Sequence, residues 1–516
     1  MRTEKSRSDD GLGGPSRKRT CWRRLVRASR ATSLPLAAVT LVGLLAALAA
    51  ALTPALHSAI EIGPDEHYEV MKAMLWGKGY PLYQQMWNDQ PPLHTILLGL
   101  LFRCFGPTIG VARALAVFFG VVLLAGCFVL VRKRCGHCAA FVAALALMAA
   151  PQTLELSVSA MLEVPAMAVG LWALWPVYHW VEKPGGRRLY LLIASGVLLA
   201  TSLQIKLTAA IFAPALCAEI FFATAGDGLS AAKCRARHLL LWGGCVAIWF
   251  VLLGMLFGSG YRMAWAAHFS ARTHEATSAM GHSFPPSLLL DHLEGFIGAC
   301  TGLVLGAWPG GFRRILFPYV LLLTVAAVHL VHRPWWPYYY LHLTIPMAWL
   351  TGYAVIRLFR LPFQASANHG WRRIVGFIGA SLSATALLVL IAMEGGGRLV
   401  SEVAQMRGLP QIENSLLITA MREYAGRTRW VYARSTIYAF HANLSVPPEL
   451  AVLVKKRFWS GQISEREILA IIQRYAPEQI VVSGEELLSD DYLRKAGYAP
   501  VYESGEGTLY VAGSLR

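Results

Sequence analysis

Between Leu34 and Leu56 the chain runs for 23 residues without a charge. As a helix this run advances about 1.5 Å per residue, enough to cross the roughly 30 Å apolar core of a bilayer. The pattern recurs, with candidate spans at 109–131, 138–156, 164–181, 188–204, 206–224, 239–258, 294–312, 315–331, 340–357 and 373–393. Composition agrees: 55% of residues are hydrophobic and 15% charged, against about 25% charged in ordinary soluble domains. A disordered chain, a collagen-like chain and a single water-soluble globule are excluded. The first run is too long for the apolar core of a cleavable signal and is expected to be retained.

The formal net charge of +17 sits oddly on so apolar a chain. Nucleic acid, an anionic surface or an oriented membrane protein would each account for it. Its distribution decides. The first 30 residues carry ten Lys/Arg against three Asp/Glu. Basic clusters then follow at Arg132–Lys133–Arg134, at Lys183, Arg187 and Arg188, at Lys233, Arg235 and Arg237, at Arg313–Arg314, and at Arg357, Arg360, Arg372 and Arg373. Every second loop is basic, so these loops share the cytoplasmic side and no nucleic-acid partner is implied. For the tail to share that side with Arg132, two crossings must separate them. The segment 91–106 must then lie at the outer surface, as a re-entrant or interfacial helix. Arg113 and Glu219 are the charges expected deeper in the spans, where they would cancel.

The expected fold is an α-helical polytopic membrane protein of about 11 transmembrane helices with a small C-terminal α/β domain. Residues 1–33 form a basic cytoplasmic tail. Residues 34–393 form the transmembrane domain, with a first outer loop at 57–108. Residues 394–516 contain no spanning run, and their 14 Lys/Arg balance 14 Asp/Glu. Within them Arg429–Ala433, Gln479–Ser483 and Thr508–Val511 read as strands, and Ser464–Tyr475 has a helical period. A second helix is expected from near Glu485 to Ala496–Gly497, and the whole domain is expected outside the membrane.

The first outer loop holds the densest polar cluster: Glu61, Asp65, Glu66, His67, Glu69, Lys72 and Lys78, then Trp87, Asn88, Asp89 and Gln90. Adjacent carboxylates at the mouth of an apolar span are costly unless hydrated, paired or functional. The bland reading is a hydrated acidic loop; the functional one is a base or a metal-binding pair. Glu163, in Leu162–Glu163–Val164–Pro165, falls on the same face with Glu155 nearby. It is either a helix-end carboxylate favoured by the helix dipole or part of a site.

At these residues the chain resembles the polyprenyl-phosphate-sugar glycosyltransferases of the GT-C superfamily, of the protein O-mannosyltransferase and lipid A aminoarabinose transferase type. The resemblance rests on Pro64–Tyr68 (PDEHY), Gly79–Tyr83 (GYPLY), Trp87–Leu93 (WNDQPPL), Met161–Pro165 (MLEVP), and Trp336–His342 (WPYYYLH) with Pro346 after it. It spans about 34–360 in the family's order and spacing. It implies a multi-pass enzyme of the bacterial inner (plasma) membrane that transfers a hexosyl or pentosyl unit from a polyprenyl-phosphate sugar donor. The envelope acceptor would be a lipid, glycan or protein hydroxyl. By the same resemblance Asp65 is the general base and Glu66 positions the acceptor or the base. Glu163 organises the site, and a divalent metal, if one is used, would take Asp65 and Glu163.

The chain departs from the family at three points. Glu163 stands where Asp is commoner, Val158 where Arg is frequent, and Gln90 where many members have Lys against the donor phosphate. The phosphate charge then falls to other cations, with Lys72, Lys78, Lys206, Arg262, Arg272 and Arg333 available and Arg333 favoured beside the aromatic run. The candidate substrate-binding residues are Lys72, Gln90, Lys206, Arg333, Tyr339 and His342.

Other constellations have plainer readings. Cys135–Gly136–His137–Cys138 has half a zinc site's spacing and no matching second pair, with Cys234 and His238 a loose candidate. His268, His274 and His282 are read as solvated loop or as a flap over the site, and Asn443–Leu444–Ser445 as a chance glycosylation triplet. Lys455–Lys456–Arg457 reads as a solvated helix end, with anionic lipid or a phosphorylated ligand as the alternative. The rival function is a transporter or flippase of lipid-linked sugars, which should show polar residues at mid-membrane and paired broken helices. A non-catalytic envelope-assembly protein leaves the two acidic motifs unexplained.

Overall fold

The computed structural model describes residues 35–182, 188–223, 229–257, 261–269, 271–280, 283–308, 311–364, 370–483 and 488–515. The basic tail, Lys183, Arg187 and His282 lie outside these. The chain is mostly helical. Among the described residues five helices are long and apolar enough to cross a membrane: Pro35–Ala55, Ile109–Cys135, Leu229–Leu256, Phe312–Val331 and Ile378–Arg407. Shorter apolar helices at Leu93–Phe105, His137–Met148, Leu189–Leu203, Leu207–Ala223 and Leu293–Gly306 join them, as does Tyr340–Gln364. The helix Leu229–Phe257 leaves Leu240, Met255 and Leu256 about three-quarters exposed, an apolar surface suited to lipid.

Local chemistry sets these boundaries. Ile109–Cys135 opens on Thr108, whose hydroxyl accepts from the Val111 N–H at 3.4 Å. Its last turn carries Arg132, Lys133 and Arg134 against the helix dipole, and Gly136 ends it at φ 100°. The expected span 138–156 is instead broken. Its helix stops at Met148, Pro151 cannot continue it, Gln152 takes φ 60°, and a separate short helix runs Thr153–Val158. Leu293–Gly306 lies hard against Tyr340–Gln364 because Gly298 and Gly302 face it. A Cβ at Gly302 would strike the Leu350 carbonyl, and one at Gly298 the Thr351 side chain.

The basic loops share one end. The Cys135 thiol reaches the Arg314 carbonyl at 3.9 Å, Arg360 lies beside Gly136, and Lys133 pairs with Glu182 at 3.1 Å. The two charges deeper in the bundle each meet a partner. Arg113 pairs with Glu66 at 2.8 Å, and Glu219 with Arg134 at 2.9 Å.

Beyond Leu390 the last long helix passes through a wide turn at Ile391–Gly395 and continues to Arg407, past the boundary expected at 394. The C-terminal sheet comprises β1 (Val431–Ala433), β2 (Gln479–Val482), β3 (Tyr498–Ser504) and β4 (Gly507–Ala512) in the order β1-β2-β4-β3. β1 and β2 are parallel, the other pairs antiparallel. Alternation divides its faces. Tyr432, Ile480 and Tyr510 pack with Ile468, Ile472 and Leu493, whereas Val431, Val481 and Leu509 join the core that continues into the helices. The helix Glu465–Tyr475 opens on a capping box of Ser464 and Glu467.

This domain docks on the segment 57–108. Ile60 N–H donates to the Pro410 carbonyl at 2.8 Å, Thr436 Oγ1 to the His67 carbonyl at 3.1 Å, and His441 Nε2 to the Ile60 carbonyl at 2.7 Å. Lys78 Nζ donates to Ser445 Oγ at 2.8 Å, and the rings of Phe102 and Phe440 meet at 5.7 Å.

Candidate active site

Where the first loop, the helix opening at Glu163, the Lys206 turn, the aromatic run and the C-terminal domain converge, they enclose a cavity of about 260 Å³. Asp65 lines it from the first turn of the helix Glu66–Gly77, as the residue that precedes the helix. Burial pushes its carboxyl above the ordinary 3.8, Lys206 and His67 pull it back, and Glu69 and Asp89 add to the rise. The Tyr338 hydroxyl meets the same carboxylate. A partly exposed carboxylate with a raised pKa at a cavity wall has the character of a general base.

Glu66 lies behind that wall, fully buried. Arg113 grips it with both arms, Nε to Oε1 at 3.0 Å and Nη2 to Oε2 at 2.8 Å. The backbone N–H groups of Ile62 and Ala160 also donate to it, at 2.9 and 3.0 Å. Arg113 in turn donates to the carbonyls of Ala55 and Ala59. Four donors leave Glu66 little capacity for a substrate, so it fixes the helix start that carries Asp65.

Three further carboxylates line the cavity, each paired with a lysine that also lines it. Glu163 opens the helix Glu163–Trp172 and forms an ion pair with Lys206, whose Nζ lies 4.7 Å from the Tyr338 ring centroid and 5.5 Å from that of Tyr339. Glu69 pairs with Lys72 at 2.8 Å, and Lys72 also donates to Asn88 Oδ1 at 3.0 Å. Burial works against the Glu69 charge, yet Lys72 and His94 outweigh it and hold the carboxyl down to about 2. Asp89 meets Lys456 at 2.9 Å, and the Asp89 carbonyl accepts from His268 Nε2 at 2.9 Å. Burial opposes the Asp89 charge too, and Lys456 and His268 together hold it well below the carboxylate range. Burial, then Lys456, pushes His268 down to about 4, so its ring is neutral near pH 7.

Of the candidate substrate-binding residues, Lys72, Gln90, Lys206 and Tyr339 line the cavity. His342 is buried behind Tyr339, the ring centroids 5.5 Å apart, and its Nδ1 lies 3.1 Å from His329 Nε2. Arg333 is exposed and not among the lining residues. Lys78 is occupied by Ser445.

A divalent metal fits this donor set poorly. Asp65 and Glu163 share the cavity, but the Lys206 ammonium already neutralises Glu163. Among the described residues no group of three or more His, Cys, Asp or Glu side chains is arranged to hold an ion, Cys135 and Cys138 included.

Lys455 and Lys456 also line the cavity, and the reading of Lys455–Lys456–Arg457 as a solvated helix end is corrected. Arg457 is buried, donating to the carbonyls of Glu449 and Val452. The signal in the sequence was the neighbouring apolar pair Val452 and Val454, too apolar for a solvated turn. The pairing of Asp89 with Lys456 spans 367 positions and left no local mark.

Residues 89–259 match the family model of dolichyl-phosphate-mannose-protein mannosyltransferases. No curated protein matches the chain. Among solved structures it is similar to ArnT of Cupriavidus metallidurans bound to undecaprenyl phosphate. That match has a TM-score of 0.64 and 15% identity, and covers 94% of this chain and 99% of that one. It is also similar to the oligosaccharyltransferase of Archaeoglobus fulgidus in the apo form, at TM-score 0.55 and 12% identity over 87% of this chain and 69% of that one. The archaeal AglB in complex with an inhibitory peptide and dolichol-phosphate matches at TM-score 0.52 and 13% identity, covering 86% and 69%. The chain therefore shares the fold of these proteins, over nearly its whole length in the case of ArnT.

Proposed function

We propose that the chain is an inverting membrane glycosyltransferase that moves a hexosyl or pentosyl unit from a polyprenyl-phosphate donor to a hydroxyl of an envelope lipid, glycan or protein. The observation that carries this reading is Asp65, a raised-pKa carboxylate at the wall of a cavity that four lysines also line. Match to the mannosyltransferase family over 89–259, and the fold shared with a structure bound to undecaprenyl phosphate, support it.

The chemistry is balanced by the groups present. Asp65 takes the proton of the acceptor hydroxyl as its oxygen bonds to the sugar's anomeric carbon. The bond from that carbon to the phosphate oxygen breaks, and its electron pair leaves on the phosphate, which needs cations rather than a proton donor. Lys206, held by Glu163 over the rings of Tyr338 and Tyr339, and Lys72, held by Glu69, line the cavity on the bundle side as N–H donors whose charge is already offset by a carboxylate. Glu66 and Arg113 hold the helix start that aims Asp65. The protein would sit in the bacterial inner membrane with the cavity on the outer side.

Deleting the gene and weighing the envelope glycolipids and glycoproteins tests the proposal. One acceptor class should lose the mass of one sugar, with regain on complementation. An unchanged glycan profile, with lipid-linked sugar accumulating on the inner leaflet, would favour a flippase instead.

A further inference from the structure

We infer that Lys455, presented by the C-terminal domain, binds the phosphate of the lipid-linked donor, so that this domain completes the donor site. The inference rests on the function proposed above. Of the four lysines lining the cavity, Lys206 is neutralised by Glu163, Lys72 by Glu69 and Lys456 by Asp89. Lys455 has no ion-pair partner among the described residues and is solvent-exposed on its cavity-facing strap. A phosphate entering this cavity adds negative charge beside Asp65, whose own ionised form burial already disfavours. The cation not yet committed to a carboxylate gains most from it.

The strap that carries Lys455 is fixed at both flanks. Arg457, two residues on, donates to the carbonyls of Glu449 and Val452 at 2.6 and 2.9 Å, and its guanidinium lies 5.6 Å from the Trp87 ring centroid. Trp87 in turn donates to Gln462. The adjacent Lys456 is pinned by Asp89 and lies 3.4 Å from His268 Nδ1. Lys455 therefore stands at the cavity wall on a base held by its neighbours, and it comes from the C-terminal domain.

A phosphate could reach Lys455 on the polyprenyl donor or on a phospholipid headgroup, and the test separates them. Full-length protein in nanodiscs is titrated with undecaprenyl phosphate, undecaprenol and phosphatidate, for wild type, Lys455→Gln, Lys455→Arg and a surface control, Lys495→Gln. We expect Lys455→Gln to weaken undecaprenyl phosphate binding by about tenfold or more. Undecaprenol binding stays unchanged, Lys455→Arg stays within about threefold of wild type, and the affinity of Lys455→Gln depends less steeply on salt. Wild-type affinity for undecaprenyl phosphate in Lys455→Gln would overturn the inference. So would an equal loss for phosphatidate, which would mark a headgroup contact. A wild type that binds the phosphate and the alcohol equally would instead overturn the donor reading beneath it.

Discussion

Replacing Glu66 by Gln tests whether this residue serves the fold or the substrate. Its carboxylate and the Arg113 guanidinium both have side-chain exposures of 0%. It receives four donors, from Arg113 twice and from the N–H groups of Ile62 and Ala160. Whichever way a Gln amide is turned, its NH2 faces two of those donors, and the guanidinium is left charged and fully buried. Removing one partner of a fully buried pair costs about 3–5 kcal/mol. For a chain of 516 residues that is a fall of about 3–5 °C in apparent Tm, followed by thermal unfolding in detergent. The double variant Glu66→Leu/Arg113→Met removes both charges and should recover part of the loss, the remainder being held by the N–H groups of Ile62 and Ala160 and the carbonyls of Ala55 and Ala59, which lose their partners. A Glu66→Gln protein that melts within about 1 °C of wild type but transfers no sugar would refute this reasoning and return Glu66 to the acceptor.

Two further outcomes follow from the cavity. Transfer requires Asp65 as a carboxylate, and burial raises its pKa, so kcat/KM should fall with unit slope as pH drops through a value above the ordinary 3.8. An acid limb at or below about 4 in a pH-rate profile would contradict that. Lys206→Met leaves the Glu163 charge almost wholly buried and unpaired. Its stability should fall by about 3–5 kcal/mol. Adding Glu163→Gln should restore the melting temperature but not the transfer rate, separating the structural share of this pair from its share in the chemistry.

Much of the fold was legible because bilayer chemistry is written locally. Uncharged runs marked the helices long and apolar enough to cross, five among the described residues where eleven spans were expected, and the basic loops at Cys135, Arg314 and Arg360 meet at one end. The expected strands of the C-terminal domain appear as β1, β2 and β4. β3 was missed because Tyr498–Ser504 carries Pro500 and an irregular register and shows no clean alternation. The break after Met148 was written in Pro151, but hydropathy ran across it. At the site, Asp65 and Glu163 announced themselves as charges at the mouths of apolar spans. The partners did not: Arg113 and Glu66 are 47 positions apart, and Lys456 and Asp89 are 367. Burial, not sequence spacing, selects which cation meets which carboxylate. That is why Arg333, adjacent to the aromatic run in the chain, is exposed, while the discounted Lys455 and Lys456 line the cavity.

The central claim is that Asp65 is the base of a glycosyl transfer. The direct measurement is sugar transfer by reconstituted wild type and Asp65→Asn, from polyprenyl-phosphate sugar to envelope extract, alongside their melting curves. Because the folded protein disfavours the ionised form of Asp65, Asp65→Asn should melt no lower than wild type near neutral pH, while transfer falls by about three orders of magnitude or more. Undiminished transfer by a folded Asp65→Asn protein would contradict the account.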